Sequence, residues 1–414
     1  MTHGLKSVAV VGGGVIARSC ALALQRRGVA VTIIAKPDDA PASFGNAGHI
    51  AAEQVEPLPR VSTLLSLPRL RFPRGPVAVD MRHPAAWLPW SFRFLRACLP
   101  DQVARGRQVL RALQAESLPA WERLDHSLPG PTLLQRDGTT KLWEGSGAAL
   151  RAHAACQADC GTATARRLTD SECARISSRL HAPVAAGVHY GGTAHVVSPS
   201  EVLERLAEAL INAGGTWIAN EATGLRANID GITVSTPDRV LRFDAALVAG
   251  GVTSGRLLPD LRVPMIAERG YHIEWDHGDV HDLPNMVFED RALVVTRFGK
   301  RLRATSFVEF TRHDAPPDPR KWAALERHIH ALGLPVASAI ARWHGSRPTL
   351  PDYLPMLGRP AGQPRLFMAC GHNHLGLTLA ATTAERMAAH MLEGTPIPPA
   401  LSPDRFHPRT RGTS

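Results

Sequence analysis

The sequence predicts an α/β (α+β) protein in which a Rossmann-type domain is interrupted by a second domain built on a mixed, largely antiparallel sheet. Residues 1–35 contain two short apolar runs separated by a segment with helical spacing, the pattern of strand, helix and strand. Residues 231–243 and 271–310 have the alternation and turn residues of antiparallel strands, and an Ala-rich segment at 377–392 predicts a closing helix. With 414 residues, 44% of them hydrophobic, the chain is long enough for two packed domains.

The N-terminal unit is predicted from three consecutive segments. The apolar run at 7–11 predicts a buried strand that ends in the glycine turn 12–14. Residues 15–27 place apolar side chains at helical spacing, and 29–35 is a second apolar run. Because two parallel strands need a crossover between them, the three segments predict one βαβ unit.

The remaining elements are divided between the two predicted domains. They are an extended connection at 57–76, helical residues at 85–127, a helix at 203–213, and strands at 216–219, 231–235, 239–243, 244–248, 292–297 and 302–309. The nucleotide-binding domain is expected at 1–85, 168–262 and 340–414, and the inserted substrate domain at 86–167 and 263–339.

The formal charge of +10, from 47 Lys+Arg against 37 Asp+Glu, indicates a basic surface but says nothing about the fold. No basic run is interleaved with aromatic residues in a nucleic-acid pattern, so no nucleic-acid partner is expected. Residues 82–111 do mix Arg with Trp and Phe, which favours a helix with a solvated basic face and leaves contact with a lipid surface or a partner subunit as the alternative. Without a leader or a long apolar run, we expect a cytoplasmic protein, with a peripheral position at the inner face of the membrane as the variant.

The six cysteines are too few and too irregularly spaced to predict a disulfide framework or a zinc site. They are interpreted as reduced thiols, and no metal is expected. Cys370 alone stands beside a candidate functional loop, where a small packing residue is the expected role.

The glycine turn matches the dinucleotide-binding pattern G-x-G-x-x-G/A at Gly12, Gly14 and Ala17. Gly12 permits the tight turn, Gly14 lets the backbone approach a pyrophosphate, and Ala17 allows close packing of helix and strand. A pyrophosphate would meet free N–H groups at the helix N-terminus, where the helix dipole favours negative charge.

The acidic residue expected to bind a ribose after the second strand is missing. Ala35 and Lys36 occupy that place, and Asp38 and Asp39 follow too late to be clear substitutes. Lys36 is suited to bind the 2′-phosphate of NADP, so an NADP enzyme is the alternative interpretation of these residues.

Five further segments carry motifs: 43–49 (SFGNAGH), 268–272 (ERGYH), 343–348 (WHGSRP), 351–358 (PDYLPMLG) and 371–378 (GHNHLGLT). Together they resemble the FAD-dependent D-amino acid oxidase superfamily, most closely its bacterial D-amino acid dehydrogenase branch, which includes D-hydroxyproline dehydrogenases. The resemblance extends from Val8 to about Phe406. The resemblance implies FAD as the cofactor, because NADP does not explain this set of motifs.

The resemblance also implies which residues contact FAD. In that family the N-A-G segment runs along the isoalloxazine, and the G-H-x-H-x-G-x-T loop covers its other end with backbone N–H groups. The implied cofactor-binding residues are Gly12, Gly14, Ala17, Ala35, Lys36, Ser43, Asn46, Ala47, Gly48, His49, Thr223, Ala249, Gly250, Gly371, His372, Leu375, Gly376, Leu377 and Thr378.

Hydride transfer from Cα to flavin N5 needs an unprotonated substrate amine and a fixed carboxylate, and it requires no side-chain base. A bidentate Arg is the natural clamp for a carboxylate. Arg347 and Arg303 are the main candidates, and Arg269 is the third.

Five other side chains are expected around the reacting atoms. Tyr271 and His272 are predicted to line the pocket, with Tyr271 donating a hydrogen bond to the substrate carboxylate. His49, His372 and His374 are candidates to tune the flavin or the amine, since they stand inside the motifs.

The predicted substrate is therefore a small amino acid of the D-amino acid or D-proline/D-hydroxyproline type. Its imine product would hydrolyse to a 2-oxo acid and ammonia, or remain as a cyclic imine. The electrons would pass to a quinone, another carrier or oxygen. Two alternatives stay open: a peroxide-producing oxidase of glycine, sarcosine or proline type, and a non-catalytic flavin-holding subunit of a complex.

Overall fold

A computed structural model of the chain describes residues 4–36, 41–228, 230–278 and 283–406. Asp38 and Asp39, considered above as ribose-binding acids, lie outside these residues. Within the described residues, no helix is long and apolar enough to span a bilayer.

The described residues form strands and α-helices in the order that a split Rossmann-type domain requires. The strands are β1 (Ser7–Val11), β2 (Ala30–Ile34), β3 (His49–Ile50), β4 (Val77–Val79), β5 (Leu134–Gln135), β6 (Thr139–Trp143), β7 (Thr164–Arg167), β8 (Ala186–Gly191), β9 (Ala194–Val196), β10 (Thr216–Ile218), β11 (Gly224–Asn228), β12 (Gly231–Ser235), β13 (Val240–Phe243), β14 (Ala245–Val248), β15 (Ile266–Asp276), β16 (Met286–Phe288), β17 (Leu293–Phe298), β18 (Arg301–Thr311), β19 (Ala341–Thr349), β20 (Met356–Gly358) and β21 (Leu366–Cys370). The helices are α1 (Val15–Gln25), α2 (Val61–Leu70), α3 (Pro84–Ala97), α4 (Pro100–Ser127), α5 (Ala148–Gln157), α6 (Asp170–Ser177), α7 (Pro199–Asn212), α8 (Pro319–Ala331) and α9 (Ala380–Glu393).

The first sheet is the Rossmann-type sheet. Its strand order is β10-β2-β1-β14-β21-β20, and all pairs are parallel except β20 with β21. Helix α1 provides the crossover between β1 and β2, and its apolar face is buried on this sheet with α7 and α9. The carboxyl ends of β1, β2, β14 and β21 therefore lie at one edge, the edge at which such sheets bind ligands.

The second sheet carries the inserted region. Its order is β19-β15-β18-β17-β16-β6-β8-β7. β4 pairs in parallel with the last residues of β18, 308–310. Most pairs are antiparallel, and β16 with β6 is a parallel pair, so the predicted mixed, largely antiparallel sheet is confirmed. Helix α8 covers one face, where Trp275, Phe288 and Leu325 are buried.

Two small three-stranded sheets complete the fold. β11-β12-β13 covers the face of the Rossmann-type sheet opposite α1, and their shared core includes Ile34, Val234 and Met368. β3-β9-β5 joins the segment after β2 to two distant strands. The fold class predicted from the sequence is thus confirmed.

Three local predictions are corrected. Residues 57–76 are not fully extended, because α2 occupies 61–70. Its first seven residues contain no Pro, and Pro68 is accommodated in its last turn. The helical stretch 85–127 is two helices, separated at Cys98 and Leu99 because the residue before Pro100 disfavours the helical conformation. The final helix begins at Ala380 instead of 377.

The predicted domain limits disagree with the sheets at several elements. β4 and β8 belong to the second sheet although 1–85 and 168–262 were assigned to the first domain, and β19 does so within 340–414. Helix α4, assigned to the inserted domain, buries Leu110 and Trp121 in the core of the first sheet. The pattern of one strand shows that it is buried but not which sheet it joins, and pairing with distant strands decides this.

Candidate active site

A cavity of about 1040 Å³ extends from the glycine turn after β1 to the strands β15, β18 and β19 of the second sheet. Of the predicted cofactor residues, those that line it are Gly12, Gly14, Ala35, Lys36, Ser43, Asn46, Ala47, His49, Thr223, Ala249, Gly250, His372, Leu375, Gly376, Leu377 and Thr378. Ala17, Gly48 and Gly371 are not on its wall. The cavity therefore unites motifs that lie more than 300 residues apart in the sequence.

The glycine turn presents main-chain donors to this cavity. Gly12 has φ +126°, and a Cβ there would overlap the carbonyl oxygen of Ala249. The amides of Gly13 and Gly14 donate no hydrogen bond to the described residues. The next amide, that of Val15, donates to Ser43 Oγ at 3.1 Å, so Ser43 satisfies the first turn of α1. The turn is thus suited to an anionic group, and Ala17, which is fully buried, serves the packing of α1.

The position of the missing ribose acid is occupied by a cross-strand pair. Lys36 Nζ lies 2.6 Å from Glu221 Oε2, and both side chains are about half exposed. Glu221 follows β10, the strand that pairs with β2, and lines the cavity beside Thr223. An acidic side chain therefore reaches this end of the cavity from a neighbouring strand.

The segments 43–49 and 371–378 meet across Thr378. Its Oγ accepts from the amide of Ala51 at 3.1 Å and donates to the carbonyl of His49 at 3.2 Å. Gly48 has φ +78°, and a Cβ there would lie 2.7 Å from the Phe298 ring. The two motifs that the resemblance assigns to a flavin are thus held side by side.

The loop 371–378 offers amides in a different way from that predicted. It does not itself open the final helix, since a 3-10 turn at Asn373–Leu375 and a further turn precede Ala380. The amides of Gly376, Leu377 and Thr378 donate no hydrogen bond to the described residues and line the cavity. Backbone donors, more than a helix terminus, are therefore what this loop presents to an electron-rich ring edge.

Of the motif histidines, His372 is buried and His49 and His374 are partly buried, and the pKa of each is lowered. Burial lowers the pKa of His372 to about 3 and that of His374 to about 4. His372 Nε2 is 3.0 Å from Thr383 Oγ, and His374 Nε2 is 2.9 Å from Gln54 Oε1. His49 is stacked on His195 with ring centres 4.9 Å apart, and burial, followed by the nearby His195, holds its pKa well below the usual range. As neutral rings they can exchange hydrogen bonds but carry no charge at neutral pH.

Arg347 is the predicted clamp that reaches the cavity. Its Nη1 donates to Glu268 Oε1 at 3.2 Å and to the Phe307 carbonyl at 3.1 Å. No described residue accepts a hydrogen bond from its Nε or Nη2. The guanidinium lies over Gly270, where a Cβ would overlap Nη2. One edge of the guanidinium therefore remains available to a carboxylate.

Arg303, the second predicted clamp, is not on the cavity wall, and this prediction is corrected. It is paired with Glu274 Oε2 at 2.6 Å, and its Nη1 donates to the carbonyls of Phe44 and Asn46. The side chain is 5% exposed. Arg303 therefore holds the 43–49 segment, and Arg269, whose guanidinium donates to main-chain carbonyls at 312–316, is equally occupied.

The predictions for Tyr271 and His272 are also corrected. Tyr271 lines the cavity, but its hydroxyl donates to Glu309 at 2.6 Å and accepts from the Asp318 amide, so it is not available to a substrate carboxylate. His272 is not on the wall, and stacks on Trp343 with ring centres 4.9 Å apart. Both residues stabilise the second sheet.

Sequence reasoning missed several side chains of the substrate end. Glu268 is in the quoted ERGYH motif, and strand alternation places it on the same face as Gly270, which would have identified it. It accepts from Thr349 at 3.0 Å and Tyr353 at 2.9 Å. Glu53, Thr139, Lys141 and His195 also line the cavity, and they carry no sequence signal because they converge only in the fold.

The residues present fit FAD. The overlap that a Cβ at Gly12 would cause, the unpaired amides of the two loops and the continuous cavity provide for a pyrophosphate and a polar ring edge. Cys370 lines the same cavity, and burial raises the pKa of its thiol to about 12. All six cysteines lie among the described residues and are free thiols.

Comparisons with known proteins show what the whole chain is similar to. The chain is similar to a D-amino-acid oxidase of Bradyrhizobium diazoefficiens, with 27% identity over 97% of this chain and 99% of that protein. It is also similar to D-amino acid dehydrogenase 2 of Pseudomonas aeruginosa, with 28% identity over 92% and 94% of the two chains. The solved glycine oxidase from Geobacillus kaustophilus shares the fold, with TM-score 0.72, 20% identity, and coverage of 98% of this chain and 99% of that one.

The family model described as DAO, FAD dependent oxidoreductase, matches residues 7–390, which is most of the chain. The resemblance recognised in the motifs is therefore confirmed, and the NADP alternative is set aside. This chain belongs to the DAO family of FAD-dependent oxidoreductases, and its cofactor is FAD.

Proposed function

We propose that the chain dehydrogenates the Cα–N bond of a small amino acid whose carboxylate is held by Arg347. The observation that carries the proposal is the available guanidinium edge of Arg347, on the same cavity as the flavin-binding loops. A bound carboxylate would find two parallel N–H donors there. The names of the relatives, a D-amino-acid oxidase and a D-amino acid dehydrogenase, support an amino acid of D configuration.

Each part of this site has a separate task. FAD supplies the acceptor for the hydride equivalent that leaves Cα. Arg347 orients the substrate, and Glu268 and the Phe307 carbonyl fix the guanidinium. His49 lines the same cavity, and its neutral ring does not repel a substrate amine.

The deciding experiment is anaerobic reduction of the yellow holoenzyme by a panel of D- and L-amino acids that includes the proline and hydroxyproline isomers. Bleaching of the flavin by at least one D-amino acid is expected. A holoenzyme that no amino acid bleaches would overturn the proposal and support the non-catalytic alternative.

We further propose that the electron acceptor is reached at an anionic membrane surface. Helix α3 buries Trp90 but exposes Phe92 and Leu95, whose exposed fractions are 65% and 49%, and Arg93 and Arg96 are exposed on the same helix. Apolar and cationic side chains on one helix are suited to a bilayer with negatively charged headgroups. A lipid-dissolved quinone would then be within reach of the enzyme.

The membrane proposal is tested by co-sedimentation with anionic and neutral vesicles at low salt. Binding to the anionic vesicles is expected, and it should weaken in a Phe92→Ser/Leu95→Ser double variant. Absence of co-sedimentation would contradict the membrane proposal.

A parallel peroxide assay, with and without an artificial electron acceptor, separates the dehydrogenase from the peroxide-producing oxidase.

A further inference from the structure

One acidic side chain on the cavity wall has no hydrogen-bond partner among the described residues. Glu53 follows β3 and its side chain is only 2% exposed, yet neither carboxylate oxygen has a hydrogen-bond partner among the described residues. Leaving a buried polar group without a hydrogen bond is destabilising, and leaving a charged group so is more destabilising. Such a carboxylate on the wall of a substrate cavity indicates that the ligand supplies its donor.

The neighbouring side chains do not fill this role. The closest ring nitrogen, His49 Nε2, is 3.6 Å from Glu53 Oε2 and is already hydrogen-bonded to Thr139 Oγ at 2.7 Å. Lys141 lowers the pKa of Glu53 against the larger raising effect of burial, but its ammonium lies 3.7 Å from Glu289. The Gln54 side chain and the Glu53 main chain also lower the pKa of this carboxyl group, but no described group meets hydrogen-bond geometry with either oxygen. The carboxyl group therefore keeps acceptor capacity for a ligand.

Glu53 and Arg347 line the same cavity, and the flavin-binding segments line it as well. A substrate whose carboxylate is bound by Arg347 can direct its side chain toward the wall that carries Glu53. Glu53 follows the 43–49 segment in the chain, and its neighbours His49 and Lys141 line the same cavity.

We propose that Glu53 accepts a hydrogen bond from the substrate side chain, so that the enzyme selects amino acids with an O–H or N–H donor on that side chain. This inference rests on the proposed function, since it assumes that an amino acid is the substrate. In either case the substrate side chain donates a hydrogen bond to the Glu53 carboxylate. The donor is either a hydroxyl group or an amine.

The test compares matched substrates on the holoenzyme: D-serine with D-alanine, D-hydroxyproline with D-proline, and D-ornithine with D-norvaline. The wild type is expected to favour the donor-bearing member of at least one pair by roughly 10- to 100-fold in kcat/KM. Glu53→Leu, which has similar volume and no acceptor, should remove this preference while FAD content stays unchanged. Glu56→Gln is the control, because Glu56 lies three residues away, is paired with Arg107 at 2.6 Å and does not line the cavity.

Glu53→Gln identifies the source of the donor. Its amide oxygen can still accept from a hydroxyl, so a preference retained in Glu53→Gln indicates a hydroxylated substrate. A preference lost in both variants indicates an ammonium group, which requires the negative charge. Because the variant with Gln keeps the shape of the side chain, it also remains informative if Glu53→Leu does not fold.

Binding is measured separately by calorimetric titration of the photoreduced holoenzyme, which cannot oxidise the added amino acid. The same preference and its loss in Glu53→Leu are expected in the dissociation constants. The inference is overturned if the wild type shows no preference, if Glu53→Leu retains it, if all substrates lose activity equally, or if FAD is lost. Those outcomes leave the proposed function standing, whereas a flavin that no amino acid bleaches contradicts the proposed function itself.

Discussion

The proposed dinucleotide end of the cavity presents main-chain groups, such as the amides of Gly13 and Gly14. The proposed substrate end is lined by side chains that are hydrogen-bonded to one another. Arg347 depends on Glu268, and Glu268 depends in turn on Thr349 and Tyr353. The first end depends on the conformation of the backbone, and the second depends on which side chains form hydrogen bonds with one another.

This difference separates what is generic from what is specific. A backbone site tolerates many side chains provided that the turn is preserved, so one cofactor can be kept while the substrate changes. A site of paired side chains changes its ligand when one member changes. Substitutions at the two ends should therefore affect different measurements.

The largest effect is expected for Gly12→Ala. Its φ of +126° disfavours any side chain, and the Cβ would overlap the Ala249 carbonyl, so the turn must move. We expect FAD affinity to fall by about 100-fold or more, measured as flavin absorbance per protein after gel filtration. Gly255→Ala is the control, since the nearest atom to its Cβ is 3.9 Å away. Full flavin content in Gly12→Ala would contradict the assignment.

The next effect is expected for Arg347→Met, at the other end. Loss of the clamp and of the partner of buried Glu268 should lower kcat/KM by about 100-fold, or ~2.7 kcal/mol. FAD content should be unchanged. Arg301→Met provides the comparison on the same sheet, because that side chain is 60% exposed and is paired with Glu274. Equal kinetics in the two variants would show that Arg347 does not bind the substrate.

A smaller effect of the same kind is expected for Gly270→Ala. Gly270 lies at a shift in the register between β15 and β18, but its φ is not positive, so Ala is acceptable to the backbone. Its Cβ would displace the Arg347 guanidinium. We expect KM to rise by about 10-fold with kcat little changed. Gly224→Ala, at another strand with its nearest neighbour 4.0 Å away, should have neither effect. A change in kcat alone would indicate that Gly270 acts otherwise.

The last effect is on stability rather than on ligand binding and concerns His372. Its folded pKa of about 3 lies below the ordinary 6.5, so the unfolded chain binds the proton first. Stability from this group is complete above pH 6.5 and is lost as the pH falls toward 3, by about 1.4 kcal/mol per pH unit. Between pH 7 and 5 the wild-type holoenzyme should lose about 2 kcal/mol more than His372→Gln in urea unfolding. Parallel losses in both proteins would contradict a buried neutral ring.

The contrast between the two ends also explains what could be predicted from the sequence. The βαβ unit and the glycine turn depend on neighbouring residues, so the strand, turn and helix that carry Gly12, Gly14 and Ala17 could be predicted directly. The segments 43–49 and 371–378 could be assigned to FAD only through the resemblance, because their spacing alone has no structural meaning.

The substrate end was predicted less well because its contacts join distant segments. Arg303 and Arg347 are both arginines on strands of the second sheet, and only the fold shows that one binds the 43–49 segment and the other faces the cavity. Glu53 could not have been chosen from its sequence neighbours, since its unpaired state appears only when every residue packed around it is known.

Cys370 adds a consequence for the enzyme's durability. Sulfur is oxidised by peroxide as the thiolate, and a thiol whose pKa is about 12 remains protonated at any physiological pH. If oxygen accepts the electrons, the peroxide made in this cavity meets a sulfur that reacts slowly. The wall next to the flavin can therefore survive many turnovers with a carrier or with oxygen, and changing the acceptor need not require replacing the cysteine.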